Sequence, residues 1–521
     1  MTLRTIFVLL CVAFISACGS SGGGGGAGGD AGGGGGGGAG APSPAGHTGL
    51  TWDGSPGVCL SCHEDQARQM YASTHYQWQG EALYMTSGPA LQGKISDAVN
   101  SYCINILGNW NDCGNCHVGL GARPVLTADP SAEQLRNIDC LICHQRDYKR
   151  KKVEGVFVPD TDNMTITLAQ AVQTVHRPDR ATCLVCHAKA GGGDAVKRGD
   201  LALATASTSD IQYDRHMSTT GADLNCQDCH VTQAHRIAGK GSDLRQTDLD
   251  VKMECTACHS EKAGPAGHET ADVNRHVARV ACQSCHIPTY AKDAADTPAS
   301  EATETHRTWK STASAVAPYH PTGTRANNLV PRYRFWNRYS ENYRIGNVAQ
   351  LDPATGTYST SRPEGAVDDT GADNKLYPFK YKTAEQPILD GAGILIALDT
   401  SVFFSTAGPD AATRAGLVNM GYSGAETYSW VTTDTFQLLN HQVAPASQAL
   451  SCASCHGGSA RVDLRADLGY GLKAAEATVC SRCHDPEGNP GFNQVHRIHV
   501  TEERYGCQNC HGFSRPERAL R

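Results

Sequence analysis

The chain has 521 residues and a formal net charge of −7, from 45 Lys+Arg against 52 Asp+Glu. With a sequence pI near 6.3 and no basic block, it lacks the electrostatic footprint of a nucleic-acid binder. Its 23 cysteines and 22 histidines are the compositional outliers, and their order carries more information than their number.

In chain order, the first element is an export signal. Arg4 is the sole cation of the first five residues, and Ile6 to Ala17 is an apolar run too short to span a bilayer. The run ends in Ile15-Ser16-Ala17-Cys18, a lipobox-like stretch in which Cys18 would be diacylated and become the mature N-terminus. A plain secretory signal cleaved near Ala17 is the alternative. Residues 1–18 are thus taken as a lipoprotein signal and 19–50 as a Gly-rich tether, with almost no apolar side chains from which to build a core. A flexible coil of about 31 residues spans roughly 30 Å. The expected setting is an exported outer-membrane lipoprotein, anchored through Cys18 and facing the periplasm or the cell surface.

From residue 59 onward the word Cys-x-x-Cys-His occurs ten times, where roughly 0.04 copies would arise by chance. The copies are Cys59, Cys62 and His63; Cys113, Cys116 and His117; Cys140, Cys143 and His144; Cys183, Cys186 and His187; and Cys226, Cys229 and His230. They continue with Cys255, Cys258 and His259; Cys282, Cys285 and His286; Cys452, Cys455 and His456; Cys480, Cys483 and His484; and Cys507, Cys510 and His511. In such a word two thiols add across the vinyl groups of a haem and the histidine takes an axial site on its iron. Zinc knuckles also use Cys-x-x-Cys, but they do not need a histidine after every second cysteine. Ten covalently bound haem c groups are expected. Of the 23 cysteines, 20 are in these words and Cys11 and Cys18 are in the signal. That leaves Cys103, so a disulfide framework within one chain is excluded.

From Cys59 to His511 there are 453 residues for ten haems, whose faces would supply much of the apolar surface. The expected fold class is therefore mainly α with extensive irregular structure, organised around a covalent haem chain, with little β. Short helices are predicted over Glu64–His75 and Ser131–His144, the second started by Asp129-Pro130-Ser131, with turns at Gly191–Gly193 and Gly239–Gly241. Seven words precede Ile287, and the 165 residues from Ile287 to Ser451 carry none. That gap (residues 287–451) is rich in aromatics such as Trp309, Trp336 and Phe379, and is expected to wrap the haem core. The last two words, in residues 476–521, read as an appended dihaem module.

An electron-transferring haem usually takes a second histidine. Twelve histidines lie outside the words. His47 is in the tether and is set aside. His496 and His499, between the last two words, are the natural distal ligands of the C-terminal module. His75, His176, His216, His235, His268, His276 and His441 are seven candidates for the other eight haems, leaving a shortage of one. Either His306 or His320 fills it, or one iron has an unusual or open site.

Several stretches carry a more specific signal. These are Ser73-Thr74-His75-Tyr76-Gln77-Trp78, Asn100-Ser101-Tyr102-Cys103-Ile104-Asn105, Ile138-Asp139 before Cys140, Gly191-Gly192-Gly193-Asp194 with Lys197-Arg198-Gly199-Asp200-Leu201, Ile287-Pro288 after His286, and Leu439-Asn440-His441-Gln442-Val443-Ala444-Pro445. With them the chain resembles the octahaem tetrathionate reductase family of respiratory multihaem cytochromes, from about Val58 to Tyr470. Residues 51–475 would then form an octahaem reductase-like domain.

The resemblance implies that the haem of the second word is the reduction site and carries a lysine ligand, matched here by Lys149 in Asp147-Tyr148-Lys149. Lys151 and Lys152 are alternatives in the same basic run. It further implies Cys103 beside that haem, Asp147 as an acid/base or polar partner, and room for a calcium ion whose ligands are not assigned. Two features depart from the family: Arg198 stands where the family usually has histidine, and the two C-terminal words are additional.

Two functions follow. One is a respiratory reductase of a small anionic sulfur or nitrogen compound (tetrathionate, nitrite or hydroxylamine), fed by partner cytochromes or a quinol-linked donor. The other is a non-enzymatic electron conduit to extracellular or outer-membrane acceptors.

Overall fold

The computed structural model describes residues 45–512, apart from 54, 103, 111–113, 241–242, 260–267, 269–270, 298–300, 367–368, 370, 457–459, 464–466, 469–470, 484–491 and 506–508. Cys18, most of the expected tether, Cys103, Cys113, His484 and Cys507 lie outside the described residues.

Helix and strand are nearly equal, at 25% and 23% of the chain, so the expectation of a mainly α chain with little β needs correcting. The strand is concentrated in the stretch without haem words. Nine strands form one sheet there, numbered here β1 (Thr303–Thr312), β2 (Pro321–Ala326), β3 (Arg332–Trp336), β4 (Ser340–Asn342), β5 (Leu351–Asp352), β6 (Thr357–Pro363), β7 (Lys375–Leu389), β8 (Ile394–Leu395) and β9 (Tyr428–Leu438). The order is β2-β1-β7-β9-β6-β4, with β3 and β8 also paired to β7 and β5 to β6. The β7–β9 ladder is antiparallel, from Phe379 opposite Leu438 to Leu389 opposite Tyr428. The β1–β7 and β6–β9 pairs are parallel.

Period-two alternation explains why this region pairs. In β7, Tyr377, Phe379 and Tyr381 point one way and Lys380, Lys382, Ala384 and Gln386 the other. One face packs Phe379 and Phe436 with Trp336. The other turns Lys380 towards the carbonyls of Val196 and Lys197, and Lys382 towards Ser101.

The haem words lie on short helices and turns, as expected. The first is in the helix Gly57–Tyr71, followed by Thr74–Gln77 in place of a single helix running to His75. Ser131 caps Ala132–Arg136 through a capping box with Gln134, but the helix stops there and a second one forms at Leu141–His144. Gly191, Gly192 and Gly193 all have positive φ and make the expected turn. Gly239–Lys240 is instead a strand paired with Gln246–Thr247. Among the described residues no helix is long and apolar enough to cross a membrane.

Candidate haem sites and the exceptional second word

A connected cavity of about 4450 Å³ is lined by one or both thiols of seven words and by most of the histidines outside them. Thiols of different words stand side by side: Cys59 with Cys140, Cys116 with Cys186, Cys183 with Cys226, and Cys255 with Cys282. Cys229 neighbours Cys258, Cys285 neighbours Cys455, and His456 neighbours His496. Among the described residues, the words other than the ninth are thus neighbours in space as well as repeats in sequence.

Most word histidines face a second imidazole at a nearly constant spacing. Ring centroids are 6.1 Å apart for His187 and His75, 6.4 Å for His144 and His235, and 5.9 Å for His259 and His216. They are 6.3 Å apart for His230 and His441, 6.0 Å for His456 and His276, and 6.2 Å for His511 and His496. Burial and then His268 lower the pKa of His286, which places His268 beside it. A separation of about 6 Å is what two rings need to bind one iron from opposite sides. The donor set therefore fits haem.

The nitrogen that would point away from the iron is anchored at several of these rings. Nδ1 of His144 meets the His176 carbonyl at 3.0 Å, that of His230 the Ala238 carbonyl at 2.8 Å, and that of His235 the Gln69 side chain at 3.1 Å. Such contacts fix the tautomer and leave Nε2 for a metal. Nδ1 of His441 reaches Asp200 Oδ2 at 3.1 Å, and Arg198 holds the same carboxylate at 2.9 Å. Burial pushes Asp200 up, but Arg198 and His441 outweigh it and hold the carboxyl well below the usual range. Arg198 thus orients the support of His441.

Two histidines, His176 and His47, fall elsewhere than the sequence reading placed them. His176 does not meet a word histidine: its Nε2 accepts from the Arg146 amide at 3.0 Å and its Nδ1 bonds the Arg177 carbonyl at 2.6 Å. His47, set aside with the tether, stacks on His63 with centroids 6.0 Å apart and planes 24° from parallel. His306 is in β1, bonded to Thr383 at 2.8 Å, whereas His320 lines the cavity against Phe404. His499 bonds the Val495 carbonyl through Nδ1 at 3.0 Å, and His484 of the same module is outside the described residues.

The second word differs from all of these. His117 is fully buried, and its Nε2 lies 2.5 Å from the backbone carbonyl of Tyr76. Its ring is boxed by Trp110, Tyr76 and Trp78 at 5.0, 5.1 and 5.7 Å between centroids. Aromatic contacts of this kind contribute about 0.5–1.5 kcal/mol each. Burial lowers its pKa to about 4, so the imidazole is neutral. Cys116 and Val118 line the cavity on either side of it, together with Lys149.

Tyr148 is buried, whereas Asp147 is exposed, with its amide bonded to Gln145. Lys151 pairs with Asp160 and Asp162, and Lys152 lies over the Phe157 ring. Arg150 gathers the carbonyls of Asn115, His117 and Gly119 and pairs with Asp139 at 3.0 Å, which fastens the Lys149 segment to the second word.

The sheet shapes the other wall. Arg307 pairs with Glu304 at 2.9 Å and donates to the carbonyls of Tyr102 and Gly191. Lys382 pairs with Glu304 at 3.0 Å, lies 3.7 Å above the Tyr102 ring, and donates to Ser101 Oγ at 3.1 Å. Trp309 donates to the Ser101 carbonyl at 3.2 Å. The backbone on the N-terminal side of Cys103 is thereby held by buried cations. Lys94, Lys189, Lys197, Arg307 and Arg325 all line the cavity.

The repeated words, the paired imidazoles and the contiguous thiols define a class. The chain is a multihaem c-type cytochrome that binds haem c covalently. Residues 58–145 and 236–287 match the family of cytochrome c554 and c-prime, and residues 320–459 match that of bacterial cytochrome c. The structure is similar to the crystal structure of octaheme cytochrome c from Shewanella oneidensis, with a TM-score of 0.66 and 26% identity over 81% of this chain and 95% of that one. An uncharacterized protein of Archaeoglobus fulgidus is 29% identical over 255 residues, 38% of this chain and 83% of that one.

Proposed function

We propose that the protein is a decahaem respiratory reductase of a small oxidised sulfur or nitrogen compound, such as tetrathionate, nitrite or hydroxylamine, acting at the haem of the second word. The observation that carries this reading is the Nε2 of His117, which faces a backbone carbonyl while Lys149 lines the cavity. Bound haem c would supply one-electron steps and an iron able to take a ligand. The chain supplies the rest.

Lys149 would hold that iron. The cations Lys94, Lys189, Lys197, Arg307 and Arg325 draw an anion in, at a rate that falls as salt rises. By the family resemblance, Cys103 would serve beside the substrate. The contiguous words carry electrons from either end, with partner cytochromes or a quinol-linked donor outside. The lipid anchor on Cys18 holds the body at the outer membrane.

The paired imidazoles support a reading in which His75, His216, His235, His268, His276, His441 and His496 are distal ligands, with His47 in place of His176 and His499 serving the word of His484. Asp200→Asn should raise the potential of the His230–His441 haem and weaken retention of His441 about 10-fold. Redox titration with ligand-exchange spectroscopy checks this.

The test of the main reading is reduction of tetrathionate, nitrite and hydroxylamine by the holoprotein with a reduced dye. Turnover of at least one, slowed by salt, is the expected result. No turnover, with every iron capped by two imidazoles, would leave the electron conduit, which the run of imidazole pairs favours.

A further inference from the structure

We propose that Tyr76, Trp78, Trp110 and Gly119 form a holding site for the displaced histidine of the second word, and that this site leaves its iron to Lys149. The inference rests on the reading above and supplies its cause. A backbone carbonyl only accepts hydrogen bonds, so the proton of the contact between His117 and Tyr76 is on Nε2. That is the nitrogen a word histidine presents to iron, and once protonated it has no lone pair to give.

The spacing of the second word is the same as that of the other nine, so the cause lies outside the word. Tyr76 is near the end of the four-residue helix Thr74–Gln77, where carbonyls have no partner within the helix. Trp78 follows in the left-handed region, with φ of 51°, and ends that helix. The orphan carbonyl therefore meets the imidazole N–H at the base of a box whose walls are Trp78 and Trp110, at 89° and 64° to the ring.

Gly119 provides the remaining space: a Cβ there would stand 2.5 Å from Cε1 and 2.6 Å from Nδ1 of His117. On the other side, Arg150 ties the His117 and Gly119 carbonyls to the strand that begins next to Lys149. Storage of the histidine and delivery of the lysine are thus joined through one guanidinium. Trp78, Trp110 and Gly119 act as positioning residues, because they touch His117 and act on the iron only through it.

The test uses ferric holoprotein grown with histidine labelled with heavy nitrogen, read by EPR, spin-echo nitrogen coupling and the near-infrared charge-transfer band. In Lys149→Ala the holding site predicts that the amine signature disappears and one high-spin iron appears without coupling to a histidine nitrogen. A new histidine-coupled low-spin iron would mean that His117 was free to step in, which overturns the holding site but keeps Lys149 as ligand. A spectrum identical to wild type would remove Lys149 as ligand and overturn both readings.

Gly119→Ala is the converse variant. It should convert the amine signature of the second haem into an imidazole signature, with haem content and the other signatures unchanged. Persistence of the amine signature in Gly119→Ala, at full haem content, would overturn the holding site by itself. Trp110→Leu gives the same readout with less crowding and should show partial conversion.

Discussion

Lys149→Ala is expected to reduce dye-driven substrate turnover to below about 1% of wild type while covalent haem content stays unchanged. Changes in the second shell of metal sites already cost about 10–100-fold, and loss of a direct ligand should exceed that. No attached thioether is touched, so the effect should be confined to one iron. Electron uptake by the remaining haems should persist at the wild-type rate in stopped-flow mixing with a reduced dye. Turnover within a few-fold of wild type would show that reduction occurs elsewhere or that another group holds that iron. Lys151 is a poor substitute because it is committed to Asp160 and Asp162. Lys152 lies over the Phe157 ring, on the same hairpin but turned to its own partners. Salt dependence separates the roles further. Lys149→Ala should lose turnover at every ionic strength, whereas Arg325→Ala should lose mainly the low-salt advantage.

Legibility in the sequence followed the locality of each signal. The words are read from five consecutive residues, and the Ser131 cap from four. The sheet was harder to see, although its alternation is present in Tyr377, Phe379 and Tyr381. Pro378 and Pro387 within β7 argue against a central strand, since proline cannot donate to a ladder. The long ladder to β9 and the burial of Lys380 and Lys382 override that local warning. The second word could not be distinguished from its neighbours by its own residues. Its difference comes from Trp78 and Trp110, and nothing in the sequence shows that these rings converge on His117. Arg198 stands where the family resembled usually has histidine. In the fold it supports Asp200, which orients His441, a relation separated by more than two hundred residues.

The first haem offers the second large effect. His47→Ala is expected to add one haem equivalent that is high-spin and binds carbon monoxide when reduced, whereas His176→Ala should add none. Composition assigned residues 19–50 to a tether, and a histidine in a Gly-rich stretch carries no periodic signal. The last turn of that stretch is nonetheless ordered on the body. Ala45–His47 forms a short 3₁₀ turn, the Leu50 amide bonds back to the His47 carbonyl, and Gln173 donates to the Leu50 carbonyl at 2.8 Å. Leu50 and Trp52 pack on Leu141 and Tyr148, next to the third word and to Lys149. The His47 and His63 rings then have the spacing of the other pairs. His176 is the rival for the same role, but its Nε2 lone pair is taken by the Arg146 amide and its Nδ1 proton by the Arg177 carbonyl, so it has nothing to offer an iron. Counting carbon monoxide bound per protein in the two variants decides between them. A new binding haem in His176→Ala, with none in His47→Ala, would return the first haem to the ligand expected from the sequence.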